Sequence, residues 1–145
     1  MDRAKLKSWL IREEDEVLHA YTDSEGYLTI GVGRLIDLRK GGGISHEEAD
    51  LLLTNDISEK YAELTTRFPW TTQLDDVRFN ALMQMAFQMG VDGLAKFKLA
   101  MAYMQGGSYT QAAGEFLNSL WAKQTPNRAK RVTDAIRTGQ YPDGT

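Results

Sequence analysis

The stretch "IREEDEVLHAYTDSEGYLTIGVG", residues 11–33, sets four consecutive acids, Glu13, Glu14, Asp15 and Glu16, before a turn that holds a fifth, Asp23. Carboxyl groups brought near one another suit general acid–base chemistry. Cleaving a glycosidic bond needs one protonated carboxyl to give its proton to the leaving oxygen. It also needs a carboxylate on the opposite face of the sugar, roughly 6.5–9.5 Å away in an inverting reaction so that water fits between. A donor at a helix end and a carboxylate in an adjoining hairpin can supply that separation. A structural explanation stands beside this one, because Asp stabilises turns through its own side chain and acids after a helix suit a solvated surface.

Residues 2 to about 14 have the spacing of a short amphipathic helix, with Leu6, Trp9 and Leu10 on one stripe. Glu14 lies four residues past Leu10 and extends that stripe, and Glu13 shares part of it. Periodicity therefore narrows the four acids to two. The run "LHAYTDSEGYLTIGVG" then predicts a hairpin turning through Asp-Ser-Glu-Gly. On its return strand Leu28, Ile30 and Val32 share one face, while Tyr27, Thr29, Gly31 and Gly33 form a small, polar face of the kind a ligand approaches. Thr29 on that face is placed to help Asp23 hold a water.

"DLRKGGG" is a predicted loop, and Ser45 with Glu48 forms a capping box opening a helix whose apolar side is Ala49, Leu52, Leu53, Ile57 and Leu64. "FPWTTQ" breaks that helix. "DDVRFNALMQMAFQMG" is the most apolar helix, started by Asp75 or Asp76 and stopped at Gly90, with Met83, Met85 and Met89 as core. A helix near Phe97–Gln105 follows, then one over "SYTQAAGEFLNSLWAKQ" capped by Ser108. The last, "TPNRAKRVTDAIRTG", has Thr125 as cap, Pro126 in its first turn and Gly139 just past its end. The pattern is α+β: a small hairpin lobe, a connecting helix and a larger helical lobe, with an active cleft between the lobes.

The 145 residues suit a single domain with enough chain for a real core, and the lack of cysteine excludes disulfides and thiol chemistry. Net charge is −3, which argues against nucleic-acid binding. It is unevenly spread: residues 1–60 hold 13 acids and 8 bases, residues 61–145 hold 7 and 9, as a cleft with walls of unlike potential or an ordinary solvated surface would. "MDRAKLKSWLIREEDE" offers no signal peptide or anchor, so the expectation is a soluble cytosolic product without membrane insertion. His19 and His46 have no zinc-site spacing, and "GVGRL" and "RKGGGIS" lack the Gly-Lys-Ser/Thr ending of a phosphate loop. The short basic cluster "NRAKRV" fits a helix end or a wall facing an anionic substrate.

"EDEVLHAYTDSEGYLTIGVG", "FQMG" and "QTPNRAKRV" together closely resemble the phage-lysozyme family of glycoside hydrolases. The resemblance covers the hairpin and then runs without a gap from Phe87 to Val132. It implies a lysozyme-like fold in one catalytic domain, 1–145, in which about 12–60 form the small lobe and connecting helix, and 1–11 with about 61–145 the helical lobe. It places the family's acid on Glu14, the second carboxylate on Asp23 and the hydroxyl partner on Thr29. Leu35 and Phe87 match positions that contact sugar and peptide, and Arg128 matches an arginine pairing with the catalytic acid. A guanidinium there favours an ionised carboxyl, whereas a general acid must hold its proton.

The activity so implied is that of an endolysin, a muramidase. It cleaves the β-1,4 bond between N-acetylmuramic acid and N-acetylglucosamine of peptidoglycan by inversion, with no metal or cofactor. The resemblance also implies a monomer that waits in the host cytoplasm and reaches the wall through a separate holin-like pore. Three departures stand out: Arg34 replaces a His of the family's type member, and Ala100 and Glu115 replace a Ser and an Asn of its groove. The segment between Arg34 and Ser45 is also shorter. At −3 the chain is expected to rely little on long-range attraction to anionic wall and to lose little activity in salt. Two alternatives stay open, a lytic transglycosylase and a non-catalytic wall-binding or phage structural module.

Overall fold

In a computed structural model, residues 1–38 and 43–145 are described. The chain forms two compact units, Met1–Leu53 and Thr54–Thr145. In the first, α1 (Arg3–Glu14) precedes β1 (Val17–Thr22), β2 (Leu28–Gly31) and β3 (Arg34–Leu35), which form one antiparallel sheet in the order β1-β2-β3. Asp2 caps α1, its carboxylate accepting from the Lys5 amide at 3.0 Å. The predicted "DLRKGGG" loop and the "RKGGGIS" motif fall partly outside the described residues.

The capping box that opens α2 (His46–Arg67) is formed: the Glu48 amide donates to Ser45 Oγ at 3.1 Å, and the Ser45 amide to Glu48 Oε2 at 2.9 Å. Arg34 of β3 donates to the other carboxylate oxygen of the same Glu48, tying the sheet to the start of α2. The Ser45 amide first, and the Arg34 guanidinium with it, hold the Glu48 carboxyl below its usual range against a smaller opposing effect of desolvation.

The amphipathic expectations for α1 and α2 need correction. No residue of α1 is buried, and Trp9 is 63% exposed; in α2 only Leu64 is buried, while Leu52, Leu53 and Ile57 stay exposed. Spacing assigns residues to a shared face and does not supply what covers it. The predicted ligand face of the return strand is also different. Thr29 is buried, Ile30 is exposed, and Gly31 and Gly33 have φ of +67° and +64°, which ends the strand alternation.

The core lies in the second unit. A 3-10 turn, Pro69–Gln73, separates α2 from α3 (Asp76–Ala95), which bends at Gly90, where φ 76° and ψ 161° leave the helical region. Then come α4 (Lys98–Gln105), α5 (Tyr109–Leu117), α6 (Leu120–Gln124) and α7 (Pro126–Thr138). The single helix predicted over residues 108–124 is two. Asn118 leaves helical geometry, and Ser119 accepts from the Ala122 amide at 3.2 Å to start α6. Ser108 makes no side-chain cap, and the Thr125 hydroxyl, at the expected cap position, donates back to the Trp121 carbonyl instead. Leu64, Leu82, Met85, Leu94, Phe116 and Ile136 are fully buried among these helices, with α7 packed on α3, α5 and α6. Met83 joins this core and Met89 packs against it.

Arg78 closes the bundle. Its Nε donates to the Ile136 carbonyl at 2.7 Å, near the end of α7, and Nη1 to Asp75 at 2.9 Å. The Tyr109 ring lies 3.8 Å from its guanidinium carbon, and the left-handed Gly139 leaves it room. Replacing Arg78 by Ala is expected to cost about 2–4 kcal/mol, because the α7 carbonyl and Asp75 lose a charged partner together. Arg78→Lys should recover little, since an ammonium cannot reproduce the planar fork. Urea unfolding measures both.

Burial raises the Asp75 pKa, but the side-chain and amide hydrogen bonds from Arg78 outweigh it, so the folded value lies below the ordinary one. Stability from this carboxylate is thus present above its unfolded pKa and lost as pH falls through the folded one. Urea midpoints should decline as pH drops below about 5, less steeply in Asp75→Asn.

Candidate functional site

The turn after β1 is built around the Asp23 carboxylate. Its Oδ1 accepts from the amides of Glu25 at 2.9 Å and Tyr27 at 2.8 Å. The backbone closes the same turn, with the Asp23 amide donating to the Tyr27 carbonyl at 2.8 Å and Gly26 in positive φ. Oδ2 makes no hydrogen bond among the described residues. One oxygen is thus spent on shape and the other stays available for chemistry. The turn-forming explanation given for Asp23 from the sequence is met by Oδ1 alone.

Thr29 sits in β2, opposite Tyr21 on one side and Leu35 on the other. It is 3% exposed, and its hydroxyl donates to the Tyr27 carbonyl at 3.2 Å. That bond uses the hydroxyl proton and leaves its lone pairs as acceptors. Leu35, its cross-strand neighbour, is exposed.

Glu13 and Glu14, which periodicity leaves as alternatives, are separated by their contacts. Glu13 Oε1 accepts from the Trp9 indole at 3.1 Å and from Arg12 at 3.4 Å, on the exposed side of α1. Glu14 ends α1, and its carboxyl lies against Gly33 in the turn between β2 and β3. The chain leaves the helix at once, because Asp15 takes φ 61°, a value rare for a residue with a side chain. Leu6, Leu10, Ile11 and Glu14 of α1 line an open groove of about 530 Å³ with Val32 and Gly33. The stripe read from the sequence is present as this groove wall, without Trp9. Glu14 stands at one end of the β1–β2 ladder and Asp23 at the other.

Two further candidates belong to the helical unit. Arg128, in the first turn of α7, donates through Nη2 to the Gln84 carbonyl and to Gln84 Oε1, at 3.1 and 3.0 Å. Phe87, one helical turn after Gln84 on α3, is exposed just before the Gly90 bend. The hydrogen bonds to Gln84 bring these two candidates to one stretch of α3. The sequence reading did not single out Gln84, which no motif distinguishes from other surface glutamines. Elsewhere in the basic cluster, Lys130 pairs with Asp134, which also accepts from Arg137. Of the departures, Ala100 is buried in the core and Glu115 is half-buried on α5.

Comparison with known proteins matches the phage lysozyme family over residues 12–137. The chain is similar to "Probable T4-type lysozyme 1" of Dictyostelium discoideum, at 32% identity across 94% of this chain and 95% of that protein. It is 35% identical to the "Pre-baseplate central spike protein Gp5" of Enterobacteria phage T4, over 90% of this chain but 27% of that longer protein. An "Endolysin" of Acyrthosiphon pisum secondary endosymbiont phage 1 is 28% identical, covering 80% of this chain and 76% of the relative. With its small antiparallel sheet and helical core, the chain belongs to the phage lysozyme family, whose members are glycoside hydrolases.

Proposed function

We propose that the chain is an endolysin that hydrolyses the β-1,4 bond between N-acetylmuramic acid and N-acetylglucosamine in peptidoglycan, with inversion. The observation that supports this best is the division of labour in the hairpin unit. Glu14 ends a helix over an open groove, and Asp23 keeps one carboxylate oxygen free while the other holds its turn. Glu14 gives its proton to the glycosidic oxygen as the bond to the anomeric carbon breaks. Water attacks that carbon from the opposite face and passes a proton to Asp23. Thr29, whose own proton goes to Tyr27, accepts a hydrogen bond from the same water.

Leu35, Phe87 and Arg128 enter this proposal as substrate-binding and acid-pairing positions. So do the domain assignment of residues 1–145 and release from the host cytoplasm through a separate pore. Among the described residues no helix is long and apolar enough to cross a membrane, which fits a pore supplied by another protein. The similarity to a spike protein favours a second reading, a module of a phage structural assembly that binds wall without cutting it.

Clearing of purified peptidoglycan, with fragments identified by mass, separates these readings. Wild type should release fragments with reducing muramic ends, and Glu14→Gln should be slower by about 10²–10⁴ while remaining folded. Anhydro-muramic ends would instead identify a transglycosylase. A folded wild type that sediments with the wall without clearing it would identify a binding module.

Asp23 gives a sharper pair of variants. Asp23→Asn keeps an acceptor at the Oδ1 position, so its melting temperature should stay close to wild type while turnover collapses. Asp23→Ala should lose turnover and, with its turn undone, also about 0.5–2 kcal/mol of stability by analogy with a lost helix cap. Full turnover in Asp23→Asn would remove the carboxylate from the reaction.

A further inference from the structure

The "GVGRL" turn, which lacks the ending of a phosphate loop, has a more specific relation to the proposed acid. Two of its glycines have positive φ, but they differ in what surrounds them. A Cβ built on Gly31 would meet nothing within 4 Å. One built on Gly33 would stand 2.8 Å from Glu14 Oε2, 3.1 Å from Cδ and 3.3 Å from Cγ. The first of these is closer than real Cβ contacts allow, and two further atoms of the same side chain are crowded with it. Gly31 thus answers only to the backbone. Gly33 answers to the backbone and to Glu14.

We propose that Gly33 is a positioning residue: its lack of a side chain leaves the space in which the Glu14 carboxyl rests, and so sets where that acid points. The inference rests on the reading of Glu14 as proton donor. Three constraints meet at this spot. Glu14 is the last residue of α1, and the chain turns sharply away at Asp15, which fixes the point from which its side chain reaches Gly33. Gly33 is fixed by the three-residue link between Ile30 and Arg34, which pair across the sheet. Arg34 is in turn bonded to Glu48 at the start of α2, which ties the far end of the turn to that helix. A methyl group at residue 33 must therefore move the Glu14 carboxyl, and a displacement of about 1 Å at a reacting group can cost roughly 10²-fold in rate.

The test is a cycle of Gly33→Ala and Glu14→Ala, with Gly107→Ala as a control. Gly107 shares the positive φ, at 75°, and a Cβ there meets nothing within 4 Å. Wild type, Gly33→Ala and Gly107→Ala are assayed on peptidoglycan fragments, and all variants are melted. The expected result is a fall in kcat of roughly 10²-fold for Gly33→Ala with KM little changed, and no comparable fall for Gly107→Ala. The Tm loss caused by Gly33→Ala should be smaller when Glu14 is already Ala, because the crowding atoms are gone. That second readout needs no activity, so it stands even if the proposed reaction is wrong. An active wild type whose kcat survives Gly33→Ala would overturn the inference while leaving the role of Glu14 intact. Equal Tm losses in both backgrounds, or failure of Gly33→Ala to fold in either, would assign the cost to the backbone alone and overturn it as well.

Discussion

The hairpin unit keeps its shape almost without buried side chains, and the chemistry proposed for it depends on that constraint. Between Met1 and Leu53 the one buried residue among those described is Thr29, a polar one. What holds the unit is directional: the Asp23 turn, the ladder between β1 and β2, the capping box of Ser45 and Glu48, and the bond from Arg34. Hydrogen bonds and glycine torsions fix angles more narrowly than apolar packing does, although each contributes only about 0.5–1.5 kcal/mol net. A unit built this way trades depth of stability for accuracy of direction. The roles proposed for Glu14 and Asp23, on opposite faces of one sugar, need the second more than the first.

The helical unit is the opposite case. Leu82, Met85, Leu94, Phe116 and Ile136 are fully buried, and most of the apolar surface that the chain removes from water lies here. Arg78 adds directional bonds at the point where α3 meets the end of α7. Phe87 lies two residues past the buried Met85, so the helical turn alone puts it on the opposite, exposed face of α3 before the Gly90 bend.

Local features were legible in the sequence because local interactions make them. The Ser45–Glu48 box, the Asp75 cap, the Gly90 break and the Gly139 stop each need only a few neighbouring residues. The fold class followed from their order. The break at Asn118 and Ser119 was less visible, since "SYTQAAGEFLNSLWAKQ" keeps its apolar spacing through the interruption. Burial along α1 and α2 was misjudged for another reason: periodicity names a face and is silent about its cover. At the site, spacing reached Glu13 and Glu14 but could not choose, and the resemblance to the family pointed to Glu14. The contacts that distinguish the two acids lie on Trp9 for one and on Gly33, nineteen residues downstream, for the other. No short-range pattern encodes a contact at that separation.

Arg34 replaces a histidine of the family's type member, and its bond to Glu48 gives that exchange a meaning. A histidine link would open and close with protons near neutrality. A guanidinium stays charged at every pH the protein meets, and Glu48 holds its own charge to lower pH than an ordinary glutamate. The link between the sheet and α2 therefore keeps both charges to lower pH than an ordinary glutamate would allow. Where a histidine would have made this junction a sensor, the arginine makes it a fixed joint.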